Sequence, residues 1–214
     1  MIVIEFFGLP AVGKTTIVNK LLADQAVASK SFKQLQHANN KIFRLVKNFL
    51  FGSWVLKKHS FRLVHLFFSI DNRSRTKLIN IIIKIGILNN LRVSHLNETV
   101  VCDQLVLQDL WSILVHEPLF ELNDIKWLLS FYVRKFVGPN VRVIYMKRDL
   151  DIVKSQYLTR SENNDIFKGT NETELDVKMQ KSHKIMCEIV SYLPEQHLKV
   201  STDYNRLVEY INEN

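Results

Sequence analysis

A chain of 214 residues, 47% of them hydrophobic, is long enough to form one α/β domain with a sizeable core. This composition argues against an intrinsically disordered protein, and no apolar run of about 18 residues predicts a transmembrane helix. Because no basic region and apolar stretch open the sequence, we predict a cytoplasmic protein whose two cysteines, Cys102 and Cys187, stay reduced.

The first predicted strand, residues 2–7, leads through a short loop into a predicted helix over residues 14–22. The loop fits the pattern G-x-x-x-x-G-K-[ST], which is typical of phosphate-binding loops between a strand and a helix. We therefore predict a site for a nucleoside triphosphate, ATP with Mg²⁺. Its binding residues would be Gly8, Leu9, Pro10, Ala11, Val12, Gly13, Lys14, Thr15 and Thr16.

Each residue type has a physical role in such a loop. Gly8 and Gly13 permit backbone angles and close approaches that a Cβ atom would forbid. The loop amides and the positive end of the helix dipole attract phosphate oxygens. Lys14 would reach the β- and γ-phosphates, and the Thr15 hydroxyl would help to hold Mg²⁺.

Charge is concentrated in the next third of the chain. Residues 30–97 contain 13 lysines and arginines but a single acid, Asp71. The whole chain has a net charge of +8. A contiguous imbalance of this size indicates an anionic partner. Arginine suits bidentate phosphate recognition, so the first candidates for such contacts are Arg44, Arg62, Arg73 and Arg75.

The same segment is predicted to be helical over residues 42–56, 61–70 and 78–88. We interpret residues 30–97 as a helical subdomain with a basic outer face, inserted into a single domain that spans residues 1–214. The alternative is a surface that lies on anionic lipid, because aromatic side chains alternate with the bases. Peripheral contact with a membrane therefore stays open, whereas a nucleic-acid partner is not favoured.

Asp103 follows the second predicted strand, residues 99–102. A carboxylate at this place can hold Mg²⁺ or accept the proton of an attacking hydroxyl group. We therefore predict that Asp103 is both a metal ligand and a catalytic residue. The alternative is that it caps the helix that begins near Leu105.

The remaining elements alternate between helix and strand. Strands are predicted over 141–146 and 197–200, and helices over 105–115, 123–136, 150–158, 172–192 and 203–211. Short apolar strands separated by helices predict an α/β fold with a doubly wound parallel sheet.

Two arginines near the third of the four predicted strands are candidates for contact with a transferred phosphoryl group. Arg148 follows that strand directly, and Arg160 follows the next helix. The planar guanidinium group can neutralise developing charge with two parallel hydrogen bonds. Either arginine could instead be a surface residue paired with an acid such as Asp149, Asp151 or Glu162.

Three segments resemble the phosphate-loop kinases of nucleotides, nucleosides and other small molecules: GLPAVGKTT, VVCDQ and YMKRDLDIVKSQYLTR. In the thymidylate-kinase and deoxynucleoside-kinase branch, a pair of arginines four residues apart leads into a mobile lid. Arg160 matches the second of that pair, and Gln156 stands in place of the first. The resemblance implies a phosphotransferase, with residues 30–97 as an acceptor-binding or lid-like subdomain. The basic charge of that segment favours an anionic acceptor, such as a nucleotide, a sugar phosphate, or a phosphorylated glycan or lipid.

Two alternatives belong to other classes. The segment around Arg148 and Ser155 also resembles a segment of the sulfotransferases, but aligning the two requires a deletion of one residue. The complete phosphate-loop pattern favours ATP over the sulfuryl donor as the bound nucleotide. The second alternative is a nucleotide-binding module without catalysis, whose basic face docks on membrane or nucleic acid.

Overall fold

The computed structural model describes residues 2–24, 30–32, 41–93, 99–159, 167 and 171–212. Its strands are β1 (Ile2–Phe7), β2 (Lys30–Ser31), β3 (Thr99–Cys102), β4 (Val141–Tyr145) and β5 (Leu198–Val200). They form a five-stranded sheet in the order β2-β3-β1-β4-β5, and every pairing is parallel. The predicted α/β fold with a parallel sheet is confirmed.

Helices surround the sheet, and two short 3₁₀ turns, Lys57–His59 and Glu195–His197, interrupt the connections. The helices are α1 (Lys14–Ala23), α2 (Lys41–Val55), α3 (Ser60–Ser69), α4 (Asn72–Val93), α5 (Val106–His116), α6 (Leu122–Phe136), α7 (Leu150–Leu158), α8 (Glu172–Val190) and α9 (Tyr204–Asn212). Among the described residues, no helix combines the length and the apolar character needed to cross a bilayer.

The central strand β1 explains where the site lies. Its apolar residues are at most 1% exposed from Val3 to Phe7, because helices cover both faces of the sheet. Parallel pairing with β3 and β4 brings the carboxyl ends of these three strands to one edge. The phosphate loop, Asp103 and Arg148 all follow those ends, so one edge of the sheet collects the predicted site residues.

Two differences from the predicted elements have local causes. Strand β2 was not predicted because Lys30–Ser31 is short and polar, with no apolar pattern to mark it. Helix α4 begins at Asn72, six residues before the predicted start at Leu78. The Asp71 carboxylate accepts a hydrogen bond of 2.6 Å from the amide of Ser74, which stabilises this polar first turn.

Glu5 is a fully buried acid in the central strand. Its two carboxylate oxygens accept hydrogen bonds of 2.7 Å from the Leu107 amide and from the Tyr132 hydroxyl. Burial raises the pKa of Glu5 from 4.5 to about 7, although both hydrogen bonds oppose the shift. Glu5 therefore ties β1 to the first turn of α5 and to α6, with a carboxyl group that titrates near neutrality.

We expect Glu5 to make stability depend on pH. Its pKa is higher in the folded chain than in the unfolded chain, so its contribution is fully present below about pH 4.5 and is lost as the pH rises through about 7. In urea unfolding, the wild-type free energy of unfolding should fall by on the order of 3 kcal/mol across this window, and Glu5→Gln should abolish that fall. The paired variant Tyr132→Phe removes a hydrogen bond that lowers the Glu5 pKa, and should move the fall to higher pH. An unchanged pH profile in both variants would contradict this account.

Candidate phosphate-loop site

Two glycines shape the loop. A Cβ atom at Gly8 would lie 2.8 Å from the carbonyl oxygen of Met146, so the loop approaches the end of β4 more closely than a side chain would allow. Gly13 has φ of 98° in the left-handed region and is the N-cap residue of α1. Glycine is thus required at the first position for space and at the second for backbone conformation.

Apolar side chains between the glycines anchor the loop. Leu9, Ala11 and Val12 are 4%, 6% and 1% exposed, so these variable positions of the pattern pack into the core. Pro10 is half-buried, and Thr16 is exposed in the first turn of α1. These core contacts fix the position of the loop. Its backbone and the start of α1 therefore lie at the edge of the sheet.

The Lys14 ammonium group lies back over the loop. Its Nζ atom donates hydrogen bonds of 2.6 Å to the carbonyl oxygen of Gly8 and 2.8 Å to that of Leu9. A positive charge is thereby held beside the loop backbone and the N-terminus of α1. This arrangement attracts an anion electrostatically from three sources: the ammonium group, the loop amides and the helix dipole.

The structure brings Thr15 and Asp103 together, although they are 88 residues apart. The Thr15 hydroxyl donates a hydrogen bond of 3.1 Å to an Asp103 carboxylate oxygen. Thr15 is exposed, whereas Asp103 is only 7% exposed. The pair therefore presents a hydroxyl and a carboxylate oxygen at the mouth of the loop.

These two side chains fit Mg²⁺. Mg²⁺ prefers oxygen ligands and is usually held by one or two carboxylates together with substrate phosphates and water. Within the described residues there is no cluster of three or more His, Cys, Asp or Glu side chains that could hold a metal. A Thr–Asp pair beside a phosphate loop is instead the kind of set that holds Mg²⁺ jointly with a nucleotide.

Of the two candidate arginines, the structure describes one. Arg148 is half-buried after β4 and donates a hydrogen bond of 3.3 Å to the side-chain oxygen of Gln156. The neighbouring Asp149 carboxylate accepts a hydrogen bond of 2.9 Å from the Asp151 amide and caps α7. Arg160 lies outside the described residues.

A cleft of about 210 Å³ adjoins Asp103. Helix α4, the end of β3 and α5 supply its polar wall, which consists of Lys77, Asn80, Lys84, Asp103, Gln104 and Asp109. The Cys102 thiol also lines the cleft, but burial raises its pKa to about 12. Cys102 therefore stays protonated and is unsuited to act as a nucleophile.

A buried ion pair that the sequence analysis missed spans this cleft. Lys84 Nζ lies 2.6 Å from Asp109 Oδ2 and also donates to the Leu105 carbonyl oxygen at 3.2 Å. Lys77 Nζ lies 3.6 Å from the other Asp109 oxygen. The available signal was a charge inside an apolar helical run, Lys84 in IIIKIGIL and Asp109 in VLQDLWSILV. The spacing of 25 residues gave no indication that the two charges meet.

The lysines and arginines of residues 30–97 lie at several separate places in the structure. Among the described residues, Lys77 and Lys84 line the cleft beside Asp103. Arg62 lines a separate groove between α3 and α6, and Arg73 is exposed. Arg75 donates to the Phe67 carbonyl oxygen and stacks on the Phe67 ring, so it fixes the turn between α3 and α4. The Arg44 side chain lies outside the described part of the chain.

No protein-family model matches the chain, and no curated protein is significantly similar to it in sequence. Solved structures are similar to it in three dimensions. Thymidylate kinase from Candida albicans is 13% identical with a TM-score of 0.54, over 99% of this chain and 89% of that chain. Deoxyadenosine kinase from M. mycoides with bound dATP is 15% identical with a TM-score of 0.48, over 100% and 98% of the two chains.

At this identity, the likeness to thymidylate kinase concerns the fold. The alignment covers 99% of this chain. The phosphate loop lies between β1 and α1, at the carboxyl edge of the parallel sheet. The chain therefore shares the fold of this thymidylate kinase, with a phosphate-loop pattern at the same edge of its sheet as Asp103.

Proposed function

We propose that the protein is a cytoplasmic ATP- and Mg²⁺-dependent phosphotransferase that acts on a small anionic acceptor. The observation that carries this proposal is the contact between the Thr15 hydroxyl and the Asp103 carboxylate at the mouth of the phosphate loop. That contact joins the phosphate loop to the wall of an adjoining cleft, because Asp103 accepts the hydrogen bond from Thr15 and also lines the cleft. A donor site and an acceptor site that share one carboxylate favour group transfer over simple nucleotide binding.

The loop would hold the donor. Its amides and Lys14 would bind the β- and γ-phosphates, with the Lys14 ammonium exchanging its contacts to the Gly8 and Leu9 carbonyls for phosphate oxygens. Mg²⁺, held through Thr15 and Asp103, would neutralise charge on the bridging phosphate oxygens. Positioning and charge neutralisation supply most of the rate enhancement in phosphoryl transfer, which asks little covalent chemistry of the protein.

Asp103 would act at the boundary between donor and acceptor. Its carboxylate contacts Thr15 on one side and lines the cleft on the other, so it can hold the metal or accept the proton of the acceptor hydroxyl. We therefore assign Asp103 to the reaction.

The segment formed by residues 30–97 would bind the acceptor. Helix α4 contributes Lys77, Asn80 and Lys84 to the cleft. The charge of Lys84 is largely matched by Asp109 at 2.6 Å, whereas Lys77 is farther from that acid and its side chain is 31% exposed. Lys77 is thus the base best placed to meet an anionic group. A nucleoside monophosphate or a sugar phosphate has the required charge, and thymidylate, the substrate for which the Candida enzyme is named, is of the first kind.

Arginine would complete the site. Arg148 contacts Gln156, the position at which the related kinases carry the first arginine of their pair. Its guanidinium group is therefore located where it can supply the charge that Gln156 lacks. Together with Arg160, it would neutralise charge on the transferred phosphoryl group.

The proposal is tested by the rate of ADP formation from ATP and Mg²⁺, with pools of nucleotides, nucleosides and sugar phosphates added in turn. We expect one pool to stimulate ADP formation on the order of 100-fold over the rate in water alone, because the acceptor completes the site. Tight ATP binding without stimulation by any pool would favour a nucleotide-binding module without catalysis.

We expect Lys77→Gln to raise the KM for the acceptor roughly 10-fold, because one charged hydrogen bond to the acceptor is lost. The Kd for ATP should stay the same, because Lys77 lies outside the phosphate loop. Arg73→Gln, one helical turn earlier at an exposed position, removes the same charge and serves as the control. Equal effects of the two variants would contradict a specific contact at Lys77.

A further inference from the structure

Helices α2 and α3 expose large apolar side chains to solvent. Trp54, Phe61 and Phe68 are 62%, 83% and 73% exposed. On each helix these side chains follow helical spacing and form one stripe, made of Val46, Leu50 and Trp54 on α2 and of Phe61, Val64 and Phe68 on α3. We call the two stripes with their neighbouring bases the α2–α3 surface.

The opposite sides of both helices are already packed. Asn48 is buried and accepts a hydrogen bond of 3.1 Å from the Asn90 side chain on α4. Leu56 and Leu66 are at most 3% exposed. The core therefore does not need the exposed stripes. Rows of exposed apolar side chains of this kind mark an interaction site, whereas single exposed residues such as Leu119 are ordinary.

The formal charges within the two helices that carry this surface are all positive. Residues 41–69 contain six lysines and arginines and no acid. Lys47, Lys57, Lys58 and Arg62 are all exposed. Lys57 Nζ lies 5.1 Å from the centroid of the Trp54 ring, so a base and an apolar residue share the same patch.

We propose that the α2–α3 surface binds anionic lipid bilayers. Amphipathic helices with Trp, Phe and Leu beside Lys and Arg lie in the headgroup region, where the apolar side chains enter the acyl boundary and the bases meet lipid phosphates. A second copy of the chain fits less well, because a two-fold contact would place two positive surfaces against each other. Nucleic acid would match the positive charge, but its phosphate backbone would not bury the apolar side chains of the two stripes. This inference is independent of the proposed kinase activity.

The test is co-sedimentation of the full chain with vesicles of phosphatidylcholine alone and of phosphatidylcholine mixed with phosphatidylserine. We expect binding to the mixed vesicles that weakens with salt and little binding to phosphatidylcholine. Trp54→Ser with Phe68→Ser should weaken binding at least about 10-fold, because two apolar anchors are lost. The control replaces two exposed apolar residues elsewhere, Leu119→Ser with Val177→Ser, and should bind as the wild type does.

A second pair of variants tests the charge. Lys57→Gln with Lys58→Gln should weaken binding to the mixed vesicles on the order of 20-fold, at about fivefold per lysine. Lys178→Gln with Lys181→Gln makes the same change of net charge on α8 and should have little effect. The proposal is overturned if the wild type ignores mixed vesicles at low salt, or if all four variants bind equally. It is also overturned if the α2–α3 variants disrupt only self-association or only binding to duplex DNA.

Discussion

Lys14→Ala should lower ATP turnover on the order of 100-fold or more while the fold stays intact. The Lys14 ammonium donates hydrogen bonds to two backbone carbonyls of its own loop, those of Gly8 and Leu9, and we expect its removal to cost little stability. Its loss removes the one side-chain cation of the phosphate loop and, with it, stabilisation of the phosphates in the transition state. Calorimetric titration with ATP and Mg²⁺, together with steady-state turnover, measures both parts of the effect.

A matched lysine on the same helix provides the control for this variant. Lys20 lies 3.8 Å from the centroid of the Tyr204 ring, in the last turn of α1 and away from the loop. Lys20→Ala makes the same change of charge and should leave ATP affinity and turnover within about twofold, because its influence on the loop is screened. Undiminished affinity and turnover in a folded Lys14→Ala protein would remove the assignment of the loop.

Asp103→Asn should lower kcat between about 100-fold and 1,000-fold while the Kd for ATP changes by only a few-fold. Asparagine keeps an oxygen that can accept the hydrogen bond from Thr15, so the variant removes the charge and preserves the local geometry. We expect the negative charge of Asp103 to act on the metal and on the transferring group mainly in the transition state. Its loss should therefore lower kcat more than the affinity for ATP.

The dependence on Mg²⁺ separates the two roles of Asp103. If the carboxylate holds the metal, the Mg²⁺ concentration for half-maximal rate should rise in Asp103→Asn. If it accepts the proton, that concentration should stay constant and the acid limb of the pH–rate profile should disappear. Asp149→Asn is the control, because asparagine also caps helices and should preserve α7. Wild-type kcat in a folded Asp103→Asn protein would contradict both roles.

The phosphate loop could be predicted from sequence because its chemistry is local. Eight consecutive residues carry the pattern, and the strand before it and the helix after it are continuous in the chain. Asp103 could also be predicted, because parallel strands bring their carboxyl ends to one edge, and an acid after a short apolar strand marks that edge. The roles of the residues in catalysis stay predictions.

The wall of the cleft could not be predicted in the same way. Lys84 and Asp109 meet only because α4 packs against α5, and neither residue belongs to a local pattern. The buried Glu5 is a single acid in an apolar strand, and nothing in the sequence indicates its hydrogen bonds to Leu107 and Tyr132, which join three elements of the core. Charges that pair across long separations in sequence give no periodic signal.

We propose that the phosphate loop and the adjoining cleft together transfer a phosphoryl group between two bound small molecules. The most direct test follows a label from the γ-phosphoryl group of ATP, with Mg²⁺ and the acceptor pool that stimulates ADP formation, in wild type and in Asp103→Asn. We predict that the label moves to an acceptor in the wild type, and that this transfer falls in the variant in parallel with ADP formation. Label released only as inorganic phosphate, or retained in ATP that is nevertheless tightly bound, would contradict the account.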